Sequence, residues 1–319
     1  AGSPAEVLTP SEGVDIDYLL NPLLLDRLPV VWYAPGGAGK SLLAMYAALL
    51  VHNGLSFRGE PTRQRNALYL DFEVTREEAA RRCTLFVNGL RHLLVGAELR
   101  MPLYRRCVGS ILSEADGIAR DIARHEVGLV IVDSAGPACG GDIMSAELAI
   151  QLFNTLRKVT ASTDAAALIL THTTKADRRE EHERRLPIGS IYFENLARMT
   201  WEIRPQEGSD DRALTLGMFP RKCNMRRPEP LGFRLTFTRD ALVVEPAQAH
   251  DTLGEQGATR ALVLAELERG PVRVADLIEA VGGAGPAVRM MLTRLSREGL
   301  VMSPERGVWA LTEYDGGKA

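Results

Sequence analysis

Val30-Val31-Trp32-Tyr33-Ala34-Pro35-Gly36-Gly37-Ala38-Gly39-Lys40-Ser41 runs from an apolar stretch through a glycine-rich turn to a Lys-Ser pair, and residues 42–51 continue as a helix pattern. Strand, glycine-rich turn, Lys-Ser and helix are the context a phosphate-binding loop requires. Phosphate oxygens need backbone N–H groups at close range, and residues with little or no side chain allow that approach. Pro35, Gly36, Gly37, Ala38, Gly39, Lys40, Ser41 and Leu42 are therefore the candidate phosphate cradle. Lys40 brings a cation to the β and γ oxygens, Ser41 offers a hydroxyl to Mg²⁺, and the helix N-terminus favours negative charge. Ala34 stands where the GxxxxGK[ST] pattern usually has its first glycine. The expected cofactors are ATP and Mg²⁺.

The companions of this loop lie at the ends of further apolar runs. Ala67-Leu68-Tyr69-Leu70-Asp71-Phe72 reads as a second strand ending in Glu73, and Thr75-Arg76-Glu77-Glu78 as the capped start of a helix reaching about residue 94. A carboxylate at a strand tip beside a phosphate loop is placed to orient and polarise an attacking water, so Glu73 is the candidate base. Residues 127–132 are almost continuously apolar, as in a central parallel strand, and lead to Asp133-Ser134. An Asp there holds Mg²⁺ directly or through water, making Asp133 and Ser41 the candidate metal residues. A further apolar strand, residues 165–170, leads into Thr171-His172-Thr173-Thr174-Lys175. His172 is the candidate sensor of the γ-phosphate, since an imidazole donates a hydrogen bond in either charge state.

Composition bounds the setting. The 319 residues are 45% apolar and 25% charged, which fits one large α/β domain plus a small one and argues against general disorder. No apolar run approaches the ~20 residues needed to cross a bilayer, and no secretory signal opens the sequence. Cys83, Cys107, Cys139 and Cys223 lack CxxC spacing, which argues against structural zinc and fits a cytoplasmic location. With a net charge of −3, any nucleic-acid contact must come from local patches.

Taken together, APGGAGKS (34–41), LYLDFE (68–73), LVIVDS (129–134), LTHTTK (170–175), GSIYFENLARMTWEI (189–203) and RKCNMRRP (221–228) resemble the RecA-like ATPases. The resemblance is to RepA-type plasmid replicative helicases and related RepA-like ATPases, in family order over roughly residues 15–245. It implies a RecA-like P-loop NTPase core forming a ring, usually a hexamer, with ATP between subunits. Lys40 and Ser41 then match the phosphate and Mg²⁺ positions, Glu73 the catalytic base, Asp133 the metal acid and His172 the sensor. Lys222 and Arg226 lie in the basic element that reaches a neighbour's ATP and stabilises transition-state charge. Two departures stand out: Val74 follows Glu73 where an acid is usual, and Thr171 replaces one of the paired histidines.

In such rings the loops after Asp133 and His172 face the central channel. The first, residues 135–141, reads as a mobile uncharged loop. The second, residues 175–185, carries five cations and four acids; Arg178, Arg179, Arg184 and Arg185 are its candidate contacts to single-stranded DNA.

Strand patterns at residues 213–219, 231–237 and 242–244 finish the sheet, and residues 246–257 read as a linker. Beyond it come helices over 259–269 and 274–281, the turn Gly282-Gly283-Ala284-Gly285, a third helix from Pro286 to about residue 298, and a hairpin ending near residue 311. Val288, Met291, Leu292 and Leu295 give the third helix one apolar face. This order looks like a winged helix, with Arg289, Arg294 and Arg297 as candidate DNA contacts, although acids and bases balance at eight each from Thr259 onward.

The expected organisation is a RecA-like P-loop ATPase domain over 1–245, a linker over 246–257 and a small winged-helix domain over 258–319. The expected function is an Mg²⁺-dependent ATPase acting on DNA, most specifically a plasmid- or phage-type replicative helicase assembled as a homo-oligomer. The rivals are an ATP-gated DNA-binding regulator and a filament-forming recombination mediator. A small-molecule kinase fits least, because it leaves the segments around His172 and Lys222 without a role.

Overall fold

The run 127–133 is buried at every position, as an apolar strand must be when both faces of its sheet are covered. In the computed structural model of the chain the described residues are 16–91, 98–173, 187–206, 209–210, 212–224, 226–249, 252–281, 285–297 and 299–312. Those up to 249 form one unit, and those from 252 onward a second.

The first unit opens with short strands β1 (Tyr18–Leu20) and β2 (Leu24–Leu25), which pair with each other. Strand β3 (Pro29–Ala34) leads into helix α1 (Lys40–Asn53), and β4 (Asn66–Asp71) into α2 (Arg76–Leu90). Next come strand β5 (Leu103–Arg106), α3 (Ala115–Arg124), β6 (Val127–Asp133), α4 (Ala135–Cys139), α5 (Ala146–Thr160) and β7 (Ala166–His172). Helix α6 (Tyr192–Leu196) and strands β8 (Met199–Pro205), β9 (Ala213–Cys223), β10 (Leu231–Phe237) and β11 (Leu242–Ala247) complete the unit.

One sheet holds nine of these strands in the order β11-β10-β9-β8-β3-β7-β6-β4-β5. From β8 to β5 all pairs are parallel, and from β8 to β11 all are antiparallel. The alternation of β6 explains its burial: Leu129 and Ile131 face the core beneath α1 and α2, while Val130 and Val132 face the core beneath α3 and α5. Local signals set the helix ends. Thr75 caps α2 by accepting the Glu78 N–H at 3.3 Å, and Gly54, at φ 64°, closes α1.

Three expectations change. Residues 135–139 are helix α4 rather than open loop, with Ala135, Ala138 and Cys139 buried and the Ile111 N–H donating to the Ala138 carbonyl at 2.9 Å. The segment lacks charge because its small side chains pack into the core. Helix α2 ends at Leu90 rather than near residue 94, and residues 92–97 lie outside the described residues. Strand β9 continues past Phe219 to Cys223, so the basic segment begins as sheet.

The second unit comprises α7 (Thr252–Leu267), β12 (Val272–Arg273), α8 (Val274–Val281), α9 (Gly285–Arg297), β13 (Val301–Glu305) and β14 (Val308–Leu311). Its three strands form an antiparallel sheet in the order β12-β14-β13. Val288, Met291, Leu292 and Leu295 of α9 are all buried, in a core shared with Val263, Leu267, Leu277 and Val301. Helix α7 starts, and β11 ends, inside the stretch read from sequence as a linker. No described helix is long and apolar enough to cross a membrane.

His52 ties α1 to β4, its Nδ1 accepting the Ala67 N–H at 3.1 Å. That bond requires a neutral ring, and burial, aided by the Arg100 charge, lowers the His52 pKa from its ordinary 6.5. A depressed histidine pKa contributes stability that is present above the unfolded value and lost as pH falls through the folded value. The melting temperature is expected to drop below about pH 6, and His52→Gln is expected to flatten that slope. An unchanged slope in melts from pH 5 to 8 would remove His52 as its source.

Candidate nucleotide-binding site

Because β3, β7, β6 and β4 are successive parallel neighbours, their C-terminal ends meet along one edge. Residues at those strand ends and in the turns just beyond them share one cleft of about 640 Å³. Pro35, Gly37, Ala38, Gly39, Lys40, Ser41 and Leu42 line it after β3, Glu73 after β4, Asp133 at the end of β6, and His172 at the end of β7. The sheet brings together residues that lie far apart in sequence.

The loop after β3 depends on glycine at two points. Gly37 and Gly39 adopt φ of 76° and 78°, in the left-handed region. Gly39 also precedes the first turn of α1, and a Cβ there would lie 2.8 Å from Leu214 Cδ2 and 3.0 Å from Leu216 Cδ1 of β9. Backbone N–H groups at the start of α1 are thus left open to an anion.

Lys40 is buried, and its Nζ lies 3.9 Å from Asp133 Oδ1. Tyr69 donates to Asp133 Oδ2 at 2.6 Å, and its own pKa is raised well above the ordinary value by burial and then by the Asp133 charge, so it remains a donor. Asp133 Oδ1 is buried with no hydrogen-bond donor. A buried carboxylate oxygen without a donor is costly, and a cation bound beside it would offset that cost. Among the described residues no group of three or more His, Cys, Asp or Glu could hold a metal.

Glu73 is held from two sides. Ser134 Oγ donates to Glu73 Oε1. Asp71 Oδ1 accepts the N–H groups of Glu73 and Val74 at 2.9 and 3.0 Å, and Tyr104 donates to Oδ2 at 3.2 Å. Burial raises the Asp71 pKa, while the two backbone N–H bonds oppose the shift. His172 Nε2 stands 3.8 Å from Glu73 Oε1, and Thr171 donates to the Ile188 carbonyl at 3.3 Å.

The remaining candidates lie elsewhere. Lys222 Nζ donates to the carbonyls of Glu194, Asn195 and Ala197 at 2.7, 3.0 and 2.9 Å, capping the end of α6, and burial lowers its pKa. Arg226 is exposed and lines a separate groove with Arg58, Arg227 and Glu229. Neither borders the cleft of its own chain. Arg221, in the same basic segment, is buried against Glu202 Oε2 at 2.7 Å. Arg289, Arg294 and Arg297 are exposed on α9, and Arg178, Arg179, Arg184 and Arg185 lie outside the described residues.

Sequence reading missed Tyr69, Asp71 and Ser134 as partners within the site, although each adjoins a recognised strand end. It also missed Arg81, Arg82 and Arg239, which line the cleft. The helical spacing of Arg81 and Arg82 from Glu78 was a usable signal, whereas Arg239 carried none. Volume does not single out the site: two clefts of about 730 Å³ lie elsewhere and contain no phosphate loop. A phosphate loop on β3, with β7 between it and the Asp133 strand, makes the larger unit a RecA-like P-loop core.

A family model described as an AAA domain matches residues 12–178. No curated protein matches the chain significantly. Among solved structures, the chain is similar to a KaiC-like protein from Pyrococcus horikoshii OT3, with 13% identity and a TM-score of 0.48 over 72% of this chain and 98% of that one. It is also similar to the flagellar accessory protein FlaH from Methanocaldococcus jannaschii, with 16% identity and a TM-score of 0.44 over 70% and 91% of the two chains.

Proposed function

The chain belongs to the AAA domain family, and on that premise we propose that it binds ATP with Mg²⁺, hydrolyses the γ-phosphate and couples that reaction to DNA. The observation that carries the hydrolytic part is the convergence of Glu73, Asp133 and His172 on the cleft that contains Lys40 and Ser41.

In this reading Lys40 and the N–H groups around Gly37 to Ser41 hold the phosphates, and Ser41 and Asp133 hold the ion. Bound Mg²⁺ supplies neutralisation of phosphate charge. Glu73 accepts the proton of a water whose oxygen bonds to the γ-phosphorus as the bond to the ADP oxygen breaks. Ser134 and the Asp71 turn keep that carboxylate aimed, and His172, beside it, senses whether the γ-phosphate is present.

The DNA part rests on the resemblance to RepA-like ATPases and on the second unit. Three helices and a hairpin with Arg289, Arg294 and Arg297 exposed fit a winged helix that contacts duplex DNA. In a homo-oligomeric ring, exposed Arg226 is better suited than Lys222 to reach a neighbour's nucleotide, since Lys222 already holds three carbonyls. The most specific version is a replicative helicase. A second reading, a nucleotide-gated DNA regulator, is favoured by α4, which puts a packed helix where a channel loop was expected.

Steady-state ATP turnover with and without single-stranded DNA, paired with strand displacement on a forked duplex, separates them. The motor reading expects DNA to stimulate turnover several-fold and the fork to open. Slow turnover indifferent to DNA, with no displacement, supports the regulator.

A further inference from the structure

The phosphate-loop cleft has a second wall that the hydrolytic scheme leaves without a role, the turn joining β10 to β11. Strand β8 runs parallel to β3, and β9 and β10 then alternate in direction, so β10 ends at the same edge of the sheet as β3. The turn is firmly built. The Thr238 N–H donates to the Ala241 carbonyl at 2.9 Å, and the Ala241 N–H donates to Thr238 Oγ1 at 3.0 Å.

Helix α2 braces the turn from one side. Asn88 Nδ2 donates to the Asp240 carbonyl at 2.6 Å. One residue on, Gly89 lets the β11 backbone come so close that a Cβ there would sit 2.0 Å from the Leu242 carbonyl oxygen. The helix that begins beside Glu73 therefore fixes the turn's place in the cleft.

Three guanidinium groups line that cleft. Arg81 and Arg82 both bind the Glu78 carboxylate, Arg82 through Nε at 2.9 Å. Arg239, at the tip of the turn, is exposed and enters no hydrogen bond or ion pair among the described residues. An arginine presents a rigid planar fork of donors that matches phosphate oxygens. Held on a braced turn opposite a phosphate loop, it meets an anion without having to leave another partner.

We infer that Arg239 is a positioning residue of the nucleotide site, binding phosphate oxygens of the nucleoside triphosphate held by Lys40 of the same chain. The inference rests on the nucleotide-binding reading above and adds a cation supplied in cis, independent of any neighbouring subunit. It assigns Arg239 to holding the nucleotide, leaving the chemical step to Glu73.

The test is fluorescence titration of the full chain with N-methylanthraniloyl ATP and ADP, alongside steady-state hydrolysis, for wild type, Arg239→Gln, Arg239→Lys and Lys40→Ala. Arg239→Gln is expected to weaken both nucleotides about tenfold, the scale of one charge-assisted contact. KM should rise in proportion while kcat and the nucleotide-free melting temperature hold, and Arg239→Lys should recover part of the loss. Unchanged affinity in Arg239→Gln with binding lost in Lys40→Ala would overturn the role of Arg239 and leave the phosphate loop intact as the site. A fall in kcat at unchanged affinity would overturn it as well. If Lys40→Ala binds like wild type, the nucleotide reading and the inference fail together.

Discussion

Glu73→Gln is expected to bind ATP like wild type and to hydrolyse it roughly a hundred- to ten-thousandfold more slowly, the range contributed by a positioned general base. The substitution keeps an oxygen where Ser134 Oγ donates to Glu73 Oε1, and it leaves the backbone N–H groups of Glu73 and Val74 on Asp71. Shape and neighbours are therefore retained while the carboxylate proposed as the proton acceptor is lost. Binding should persist because the proposed anion contacts are the loop after β3 and Lys40, which line the cleft from a different strand end. Single-turnover hydrolysis with equilibrium binding on the same preparation checks both halves. Turnover within about threefold of wild type would place the base elsewhere, since that is only about 0.6 kcal/mol of barrier.

Gly89→Ala is expected to be among the most damaging small changes in the larger unit. Alanine is the better helix former by about 1 kcal/mol, so on an exposed helix it would stabilise. Here the new methyl group would lie 2.0 Å from the Leu242 carbonyl oxygen and 2.7 Å from its carbon. Backbone cannot rotate aside as a side-chain tip can, so α2 and β11 must separate, and overpacking of this kind costs about 1–3 kcal/mol or somewhat more. Two losses should appear together: a lower denaturation midpoint and weaker nucleotide binding, because the same separation shifts Arg239. A stable variant with weakened binding would localise the damage to the turn. A variant at or above wild-type stability would show that the close approach is relaxed at no cost.

The parts of the site that could be read from sequence are those whose signal is local. An apolar run that stops at a polar residue announces a parallel strand and its tip together, and that one pattern located Glu73, Asp133 and His172. Glycines followed by Lys40 and Ser41 announced the loop in the same way. The hidden parts depend on which chain segments come to lie side by side. Nothing near Arg239 says that β10 ends at the same edge of the sheet as β3, and nothing near Lys222 says that α6 offers it three carbonyls. Strands β1, β2 and β5 escaped because they are short, whereas α3 was passed over although Ala115, Ile118, Ala119 and Ile122 recur at helical spacing. Residues 135–141 misled for the opposite reason: glycines and a proline suggested an open loop, while burial of Ala135 and Ala138 made it helix.

The family match ends at residue 178, and β8 to β11 all lie beyond it. Yet β8 closes one edge of β3, and Leu214 and Leu216 of β9 form the floor on which Gly39 rests. A protein trimmed to the matched stretch would carry every residue of the phosphate loop but leave its strand with a bare edge, a template for pairing with other chains. It would also lose the Arg239 wall. The stretch that reveals common descent is therefore shorter than the stretch that can hold a nucleotide, and dissection of this protein into pieces should respect the second.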